Sequence, residues 1–426
     1  MAERVYLPRV VEAELDELFA TAPALAIDGA KGVGKTATAE RRARSAYRLD
    51  DPALRSLAMG DPQVWMSAPQ PVLLDEWQLV PALWDAVRRA VDADPSPGRY
   101  LLTGSAVPPD LPSHSGAGRI LSVRMRPLSL AERRVARTTV SLQALLSGKR
   151  PVILGRSPLT LADYANEVAA SGFPGFRGFS GRALRAHLDS YLHRIVEREF
   201  VEQGHRVRRP ATLRRWMQAY AAATATVASL ETIRGAATGG DGETPAKTTA
   251  AAYRDVLQAL WLLDPLPGWL PTRNRMSRVL QAPKHHLVDP ALAARLLHVD
   301  AEALLAGGQG AITPPDGTLL MGNLFESLVA QSVRVYAQGA EARVFHLRER
   351  DGRHEVDLIV ERADQRVLAI ECKLGGSVHD ADVKHLLWLR EKIGDALLDA
   401  VVVHTGPEAY RRADGIGVVP AALLGP

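Results

Sequence analysis

Residues 12–21 carry Leu15, Leu18 and Phe19 at helical spacing, which predicts an amphipathic helix. A short apolar run, Ala24–Asp28, follows, then a glycine-rich turn and an arginine-rich segment that reads as a helix over 36–47. Two more apolar runs, 71–74 and 99–102, end in Asp75-Glu76 and in Thr103-Gly104-Ser105. Short apolar strands alternating with helical patterns predict an α/β unit built on a parallel sheet, and the carboxyl ends of such strands are where ligands gather. Residues 131–157 read as a polar connection. Helical patterns dominate 161–263, broken by the glycine-rich stretch 235–245. After a second loop, 307–317, the pattern changes to helix 319–336, strands 343–347, 355–360 and Val367–Lys373, helix 380–391 and strand 398–404. These borders predict three domains, 1–157, 158–306 and 307–426.

Composition narrows the class. The 426 residues are 46% hydrophobic and 23% charged, ordinary for a folded soluble protein and contrary to global disorder. No apolar run approaches the roughly 20 residues a membrane span needs. The start, Met1 to Pro8, lacks an apolar core, so no signal peptide is expected. The single cysteine, Cys372, excludes an internal disulfide and a multi-cysteine zinc site, and the expected compartment is a reducing cytoplasm. A net charge of +4 says little alone. Its distribution says more: residues 181–282 hold 15 Lys/Arg against 9 Asp/Glu, so +6, which leaves −2 for the rest.

The strongest motif is Gly29-Ala30-Lys31-Gly32-Val33-Gly34-Lys35-Thr36, which satisfies G-x-x-x-x-G-K-[ST] between an apolar strand and a helix. Glycines let backbone N–H groups converge on phosphate oxygens, and the helix start adds its positive dipole end. Lys35 is expected at the β/γ-phosphates of ATP and Thr36 on Mg²⁺. Asp75, ending the next strand, would hold the same ion, and Glu76 would polarise the attacking water. Thr103 or Ser105 would orient that water; Ser105 is the preferred choice, and either could be a turn former.

Taken with LLDEWQ, LLTGSA, SGAGR and RPLSLAE, and further along ASGFPGF, YLHRIVEREF, PKHHLVDPAL and GNLFESLVA, the loop resembles bacterial and archaeal AAA-type P-loop ATPases that carry a C-terminal domain of formerly unknown function, DUF4143. The resemblance spans nearly the whole chain. It implies a homo-oligomer, a ring among the options, in which Arg119 of SGAGR would reach a neighbour's γ-phosphate; a solvated surface arginine is the equal alternative. It also supports a winged-helix-like segment in the basic middle. There helices over 209–224, 228–236 and 247–262 would present Lys247, Thr248, Thr249, Tyr253 and Arg254 to a DNA groove. Arg206, Arg208, Arg209, Arg214 and Arg215, with Arg273, Arg275 and Arg278 on a wing, would contact phosphates of duplex or branched DNA. A solvated helical face or a subunit-packing surface is the competing reading.

The C-terminal unit holds a second constellation. Asp357 lies inside an apolar strand, and Glu371-Cys372-Lys373 ends the next, with Glu371 and Lys373 on one face. Adjacent strands would let Asp357 and Glu371 share Mg²⁺ or Mn²⁺ while Lys373 faces the scissile phosphate. Glu326 in the preceding helix is a further candidate. This order resembles the PD-(D/E)xK nuclease fold, although Val356 stands where that pattern has proline. Two functions follow: an ATP-dependent DNA-processing enzyme with a metal-dependent nuclease, or a nucleotide-switched DNA- or protein-binding ATPase whose nuclease-like unit retains only a buried ion pair.

Overall fold

The computed structural model describes residues 6–108, 115–205, 207, 209–238, 244–272, 280–306, 317–349 and 352–426, the side chains of 317–319 apart. Five strands, β1 (Ala24–Asp28), β2 (Ser45–Arg48), β3 (Val72–Asp75), β4 (Tyr100–Gly104) and β5 (Ile120–Arg124), form a sheet in the order β2-β3-β4-β1-β5. Every neighbouring pair is parallel. β3 and β4 are buried along their whole length, so they read as unbroken apolar runs. The helix expected over 36–47 is instead Lys35–Glu40; Arg41, Arg42 and Arg44 fall in the turn that follows, and Ser45–Arg48 forms the edge strand β2. Its half-exposed residues give it the charge of a solvent-facing helix, but pairing with β3 and stacking of Tyr47 on Trp65, centroids 4.6 Å apart, hold it extended.

The second sheet has eight strands in the order β7-β13-β14-β12-β11-β10-β9-β8. Its middle is β9 (Arg343–Arg348), β10 (Glu355–Glu361), β11 (Val367–Lys373), β12 (Leu397–His404), β13 (Glu408–Arg411) and β14 (Gly417–Pro420). The strands at its two edges come from elsewhere in the chain. β7 (Gly155–Arg156) pairs with β13, and β8 (Gly268–Trp269) pairs with β9. In addition β6 (Val140–Ser141) pairs with β15 (Leu424–Gly425). Hydrogen-bonded pairing therefore crosses both expected borders, at 157 and at 306. The stretch read as a polar connection, 131–157, instead plugs Leu142, Leu145 and Leu146 into the core.

Helix Gly317–Gly339 runs between the two sheets. Leu324, Phe325, Leu328, Val329, Val333 and Tyr336 bury it on most sides, the pattern of a helix enclosed by layers. Among the described residues no helix is long and apolar enough to cross a membrane. In the middle segment helices Pro210–Ala222, Leu230–Ala236 and Lys247–Ala259 precede a hairpin, closed by bridges Leu263 to Leu287 and Leu266 to Lys284. Thr224 adds a parallel bridge to His285. Lys247, Thr248 and Thr249 are exposed at their helix start. Tyr253, expected to face a groove, is instead buried against Phe200 and Trp216. Arg214 meets His193 and Arg215 meets Thr212, whereas Arg206, Arg208, Arg273, Arg275 and Arg278 lie outside the described residues.

Candidate functional site

The glycine-rich turn leaves the end of β1 and enters helix Lys35–Glu40. Its shape demands glycine at Gly29, Gly32 and Gly34, with φ of 88° at Gly32. A Cβ at Gly29 would lie 2.2 Å from the Met125 carbonyl oxygen, and Gly34 has φ of 103°, the left-handed region. Val33 is wholly buried, so it contributes backbone rather than side chain; its carbonyl accepts from Arg9 Nη1 at 2.7 Å. Arg9 also donates to the Arg126 carbonyl at 2.6 Å and pairs with Glu132 at 3.1 Å, bracing the loop from beneath. Lys35 is 4% exposed, and its Nζ donates to the Gly29 and Ala30 carbonyls at 2.8 and 3.1 Å. Burial lowers its pKa to about 8, against the pull of Glu76, Asp75 and Asp28.

Thr36 Oγ1 donates to Asp75 Oδ1 at 2.7 Å, and Thr103 Oγ1 donates to the same oxygen. Burial still raises the Asp75 carboxyl against both bonds. Glu76 sits just past β3 with φ of 57°, and its Oε2 accepts from Ser105 Oγ at 2.6 Å and from Gln78. The two hydroxyls at the end of β4 are thus divided: Thr103 serves Asp75 and Ser105 serves Glu76. The structure brings Thr36, Asp75, Glu76 and Ser105 together at the carboxyl edge of one sheet. This donor set suits Mg²⁺, a hard cation that takes oxygen ligands. A cavity of about 770 Å³ opens on Gly32, Gly34, Lys35, Thr36 and Glu76, with Phe179 on its far wall. A smaller one of about 240 Å³ adjoins it through Gly32 and is walled by Phe173, Tyr191 and Glu199 of the helical segment. Arg119 lies elsewhere, at the amino end of β5, half-exposed and paired with Asp92 at 2.8 Å.

Asp28 at the end of β1 has a carboxyl raised by burial from 3.8 to about 6, despite a bond from Ser122 and the charges of Lys35 and Arg124. The sign is unfavourable for the ionised fold. The unfolded chain releases this proton first, so stability falls as pH rises from about 4 to about 6 and the loss persists above. Asp28→Asn is expected to add about 1–2 kcal/mol at pH of about 8 and nothing near pH of about 4, read by thermal melts at both values.

The C-terminal cluster forms where β10 and β11 lie side by side. The antiparallel register pairs Leu358 with Ile370, and continuing it sets Asp357 across from Glu371. Asp357 Oδ2 accepts the Cys372 N–H at 2.9 Å, and Glu371 Oε1 pairs with Lys373 Nζ at 3.0 Å. Into this group comes Lys284, from the hairpin of the middle segment. It is 1% exposed at its side chain, and its Nζ lies 2.9 Å from Glu326 and 3.0 Å from both Glu355 and Asp357. Burial would lower the lysine, but Asp357, Glu326 and Glu355 hold it well above its ordinary value. Burial would raise Asp357, and Lys284 outweighs it, so that carboxyl stays low. Glu371, farther from the ammonium, is raised by burial and by Asp357 to about 8. The shared metal expected on Asp357 and Glu371 needs correction. An ammonium occupies the carboxylate oxygens an ion would use, and among the described residues no group of three or more His, Cys, Asp or Glu could hold a metal. The donor set as placed does not fit a divalent ion.

Residues 21–133 match the AAA domain family, residues 161–303 match a domain of unknown function (DUF8612), and residues 321–424 match another (DUF4143). The N-terminal sheet and its phosphate loop thus lie in the stretch that is similar to the AAA domain family. Two uncharacterized proteins, one of Mycobacterium bovis and one of Mycobacterium tuberculosis, are each 26% identical over 299 residues, which covers 68% of this chain and 60% of theirs. The chain thus aligns with about 60% of the length of these curated relatives. The ORC2 protein of Aeropyrum pernix, solved in ADPNP-ADP complexes, aligns at a TM-score of 0.33 and 14% identity, over 77% of this chain and 98% of that one.

The AAA-type domain is tied to the other segments by Asp264, a residue the sequence reading did not single out. Asp264 is buried and receives Arg124 at 2.9 Å, Arg126 at 2.8 Å and Arg334 at 2.7 Å. Arg124 ends β5 of the ATPase sheet, and Arg334 lies in the enclosed helix Gly317–Gly339. Burial would raise the carboxyl, but the three arginines hold it well below the ordinary range. Lys284 and Asp264 left one signal each in the sequence. A charged residue stands inside an apolar hairpin strand (Leu262-Leu263-Asp264) or just ahead of one (Lys284 before Leu287-Val288), and such a residue needs a partner.

Proposed function

We propose that the protein is a nucleotide-switched, DNA-binding ATPase whose C-terminal unit binds without cutting. One observation carries the reading: the cavity over the phosphate loop is walled partly by the AAA-type domain and partly by Pro174, Gly175, Arg177 and Phe179, which lead into the basic helical segment. Loss of a phosphate at Lys35 would therefore change the packing of that segment directly. Mg²⁺, when bound, would neutralise charge building on the transferred phosphoryl group. Thr36 and Asp75 would hold it. The loop N–H groups of Gly29, Gly32, Val33 and Gly34 would bind phosphate oxygens of ATP, with Lys35 turning from its own carbonyls onto the β/γ-phosphates. Glu76, oriented by Ser105 and Gln78, would take the proton of the attacking water.

Arg119 precedes β5, at the opposite edge of the parallel sheet from its own phosphate loop, which supports a role in trans on a second copy of the chain. This reading makes the protein a homo-oligomer, with a ring as one arrangement. The three helices and hairpin of the middle segment support a winged-helix reading, with Lys247, Thr248 and Thr249 at the exposed start of the third helix. Duplex or branched DNA is the partner this face suits. Fluorescence anisotropy with a labelled duplex tests it. Lys247→Ala is expected to weaken binding alike for all sequences and to lower the slope of log K against log salt by about 1. Affinity that does not fall as salt rises would remove the DNA reading. ATP turnover that responds to DNA supports the switch.

The competing reading, a nuclease coupled to the ATPase, draws on the Glu371–Lys373 pair beside Asp357. Incubation of linear, branched and supercoiled DNA with Mg²⁺ or Mn²⁺ separates the two. All three substrates are expected to remain intact, and cleavage abolished by Asp357→Ala and by Lys373→Ala would establish the nuclease.

A further inference from the structure

The carboxylate cluster of the C-terminal sheet has an unusual occupant. Lys284 belongs to the middle segment, yet its ammonium lies within 3.0 Å of three carboxylates of two other elements: Glu326 on the enclosed helix, and Glu355 and Asp357 on β10. The lysine is pinned by its own backbone. Lys284 N–H donates to the Leu266 carbonyl at 2.9 Å, and Leu266 N–H returns a bond to the Lys284 carbonyl at 2.8 Å. Just before it the Ala282 carbonyl accepts from His346 Nε2 at 2.9 Å, and just after it His286 Nδ1 meets Ser327 Oγ at 3.2 Å. These bonds hold the Lys284 backbone beside the cluster. The carboxylates of β10 and β11 differ in how they are satisfied. Asp357 gives one oxygen to Lys284 and the other to the Cys372 N–H. Glu371 gives Oε1 to Lys373, but its Oε2 is buried and makes no hydrogen bond. Glu371 as a whole is 5% exposed.

We infer that Lys284 is the resident cation of this cluster, a tethered ammonium that excludes divalent metal and fastens the middle hairpin to the C-terminal sheet. An ammonium and a divalent ion compete for the same oxygens. The ion would demand them at about 2.0–2.6 Å in a shell of six or more, whereas the ammonium is satisfied by three at hydrogen-bonding distance. Removing the ammonium while keeping the oxygens leaves Glu326, Glu355 and Asp357, each within 3.0 Å of its place, as a hard-oxygen set suited to Mn²⁺. The site is thus a latent metal centre closed by a side chain of another segment. This deepens the reading of the C-terminal unit as one that does not cut and rests on it. Its test uses neither ATP nor DNA, so its failure leaves turnover and DNA affinity as separate results.

The test is Mn²⁺ titration of the nucleotide-free full chain, following the free-ion electron paramagnetic resonance signal. Wild type and Asp357→Asn are expected to give identical curves. Lys284→Met is expected to take up one additional Mn²⁺ with Kd on the order of 10⁻⁴ M, typical of a weak carboxylate site, and to lose it when Asp357→Asn is added. Because Lys284→Met gathers uncompensated carboxylates, Lys284→Met with Glu326→Gln is measured alongside as the less charged variant, with the same gain expected. Two outcomes overturn the inference: wild type that binds Mn²⁺ and loses it in Asp357→Asn, or folded lysine-free variants that take up none.

Discussion

Glu76→Gln is expected to lower ATP turnover by about 10²–10⁴-fold, the usual range for loss of a general base, while nucleotide binding stays near wild type. The geometry sets the two results apart. Glu76 lies beyond β3, held by Ser105 and Gln78, and makes no contact with the loop carbonyls that Lys35 touches. Glutamine keeps the shape and the acceptor for Ser105 but cannot take a proton. Lys35→Ala removes the buried cation of the loop, and both binding and turnover are expected to be lost. Phosphate release paired with binding of a fluorescent nucleotide reads both variants. Turnover by Glu76→Gln at the wild-type rate would take the base assignment away. Ser105→Ala is expected to act less severely, because Gln78 still holds the carboxylate.

Asp264→Ala is expected to destabilise the fold by about 3–5 kcal/mol, the cost of stranding buried charges by removing their partner. Arg124, Arg126 and Arg334 all converge on this carboxylate, and Arg334 is additionally bonded to the Asp264 and Pro265 carbonyls at 2.6 and 2.7 Å. With the carboxylate gone, three guanidinium groups repel one another in a site that excludes water. The loss should appear as a lower urea midpoint, and Asp264→Asn should recover only the hydrogen-bonding part of it. A midpoint within about 0.5 kcal/mol of wild type, the range of an ordinary surface change, would show that the arginines have other partners. Because the three come from β5, the turn after it and the enclosed helix, the variant is also expected to uncouple any DNA response of ATP turnover.

Much of the ATPase domain is legible in the sequence because its physics is local. A phosphate loop needs glycine where a Cβ would strike a carbonyl, a lysine and a hydroxyl at fixed spacing, and an apolar strand on one side with a helix on the other. All of these are contiguous. The carboxylates of Asp75 and Glu76 are legible too, as polar residues ending a buried strand. The edge strands are not. β2 reads as the end of an arginine-rich helix and β5 falls unread between two motifs, since each buries too few residues to show a period. Residues 131–157 read as a connection because their leucines, Leu142, Leu145 and Leu146, lie in a helix of five residues, too short to give a pattern.

The sequence by itself determined the phosphate-loop motif, the polar residues that end the apolar strands beside it, and the presence of acids and a lysine on two neighbouring C-terminal strands. Only the tertiary structure decided what neutralises those acids. Lys284 stands 73 residues from Asp357 and 42 from Glu326, on a hairpin whose pairing with the C-terminal unit no local period encodes. Charge compensation depends on distance in space, and spacing along a chain carries that information only within a single helix or strand.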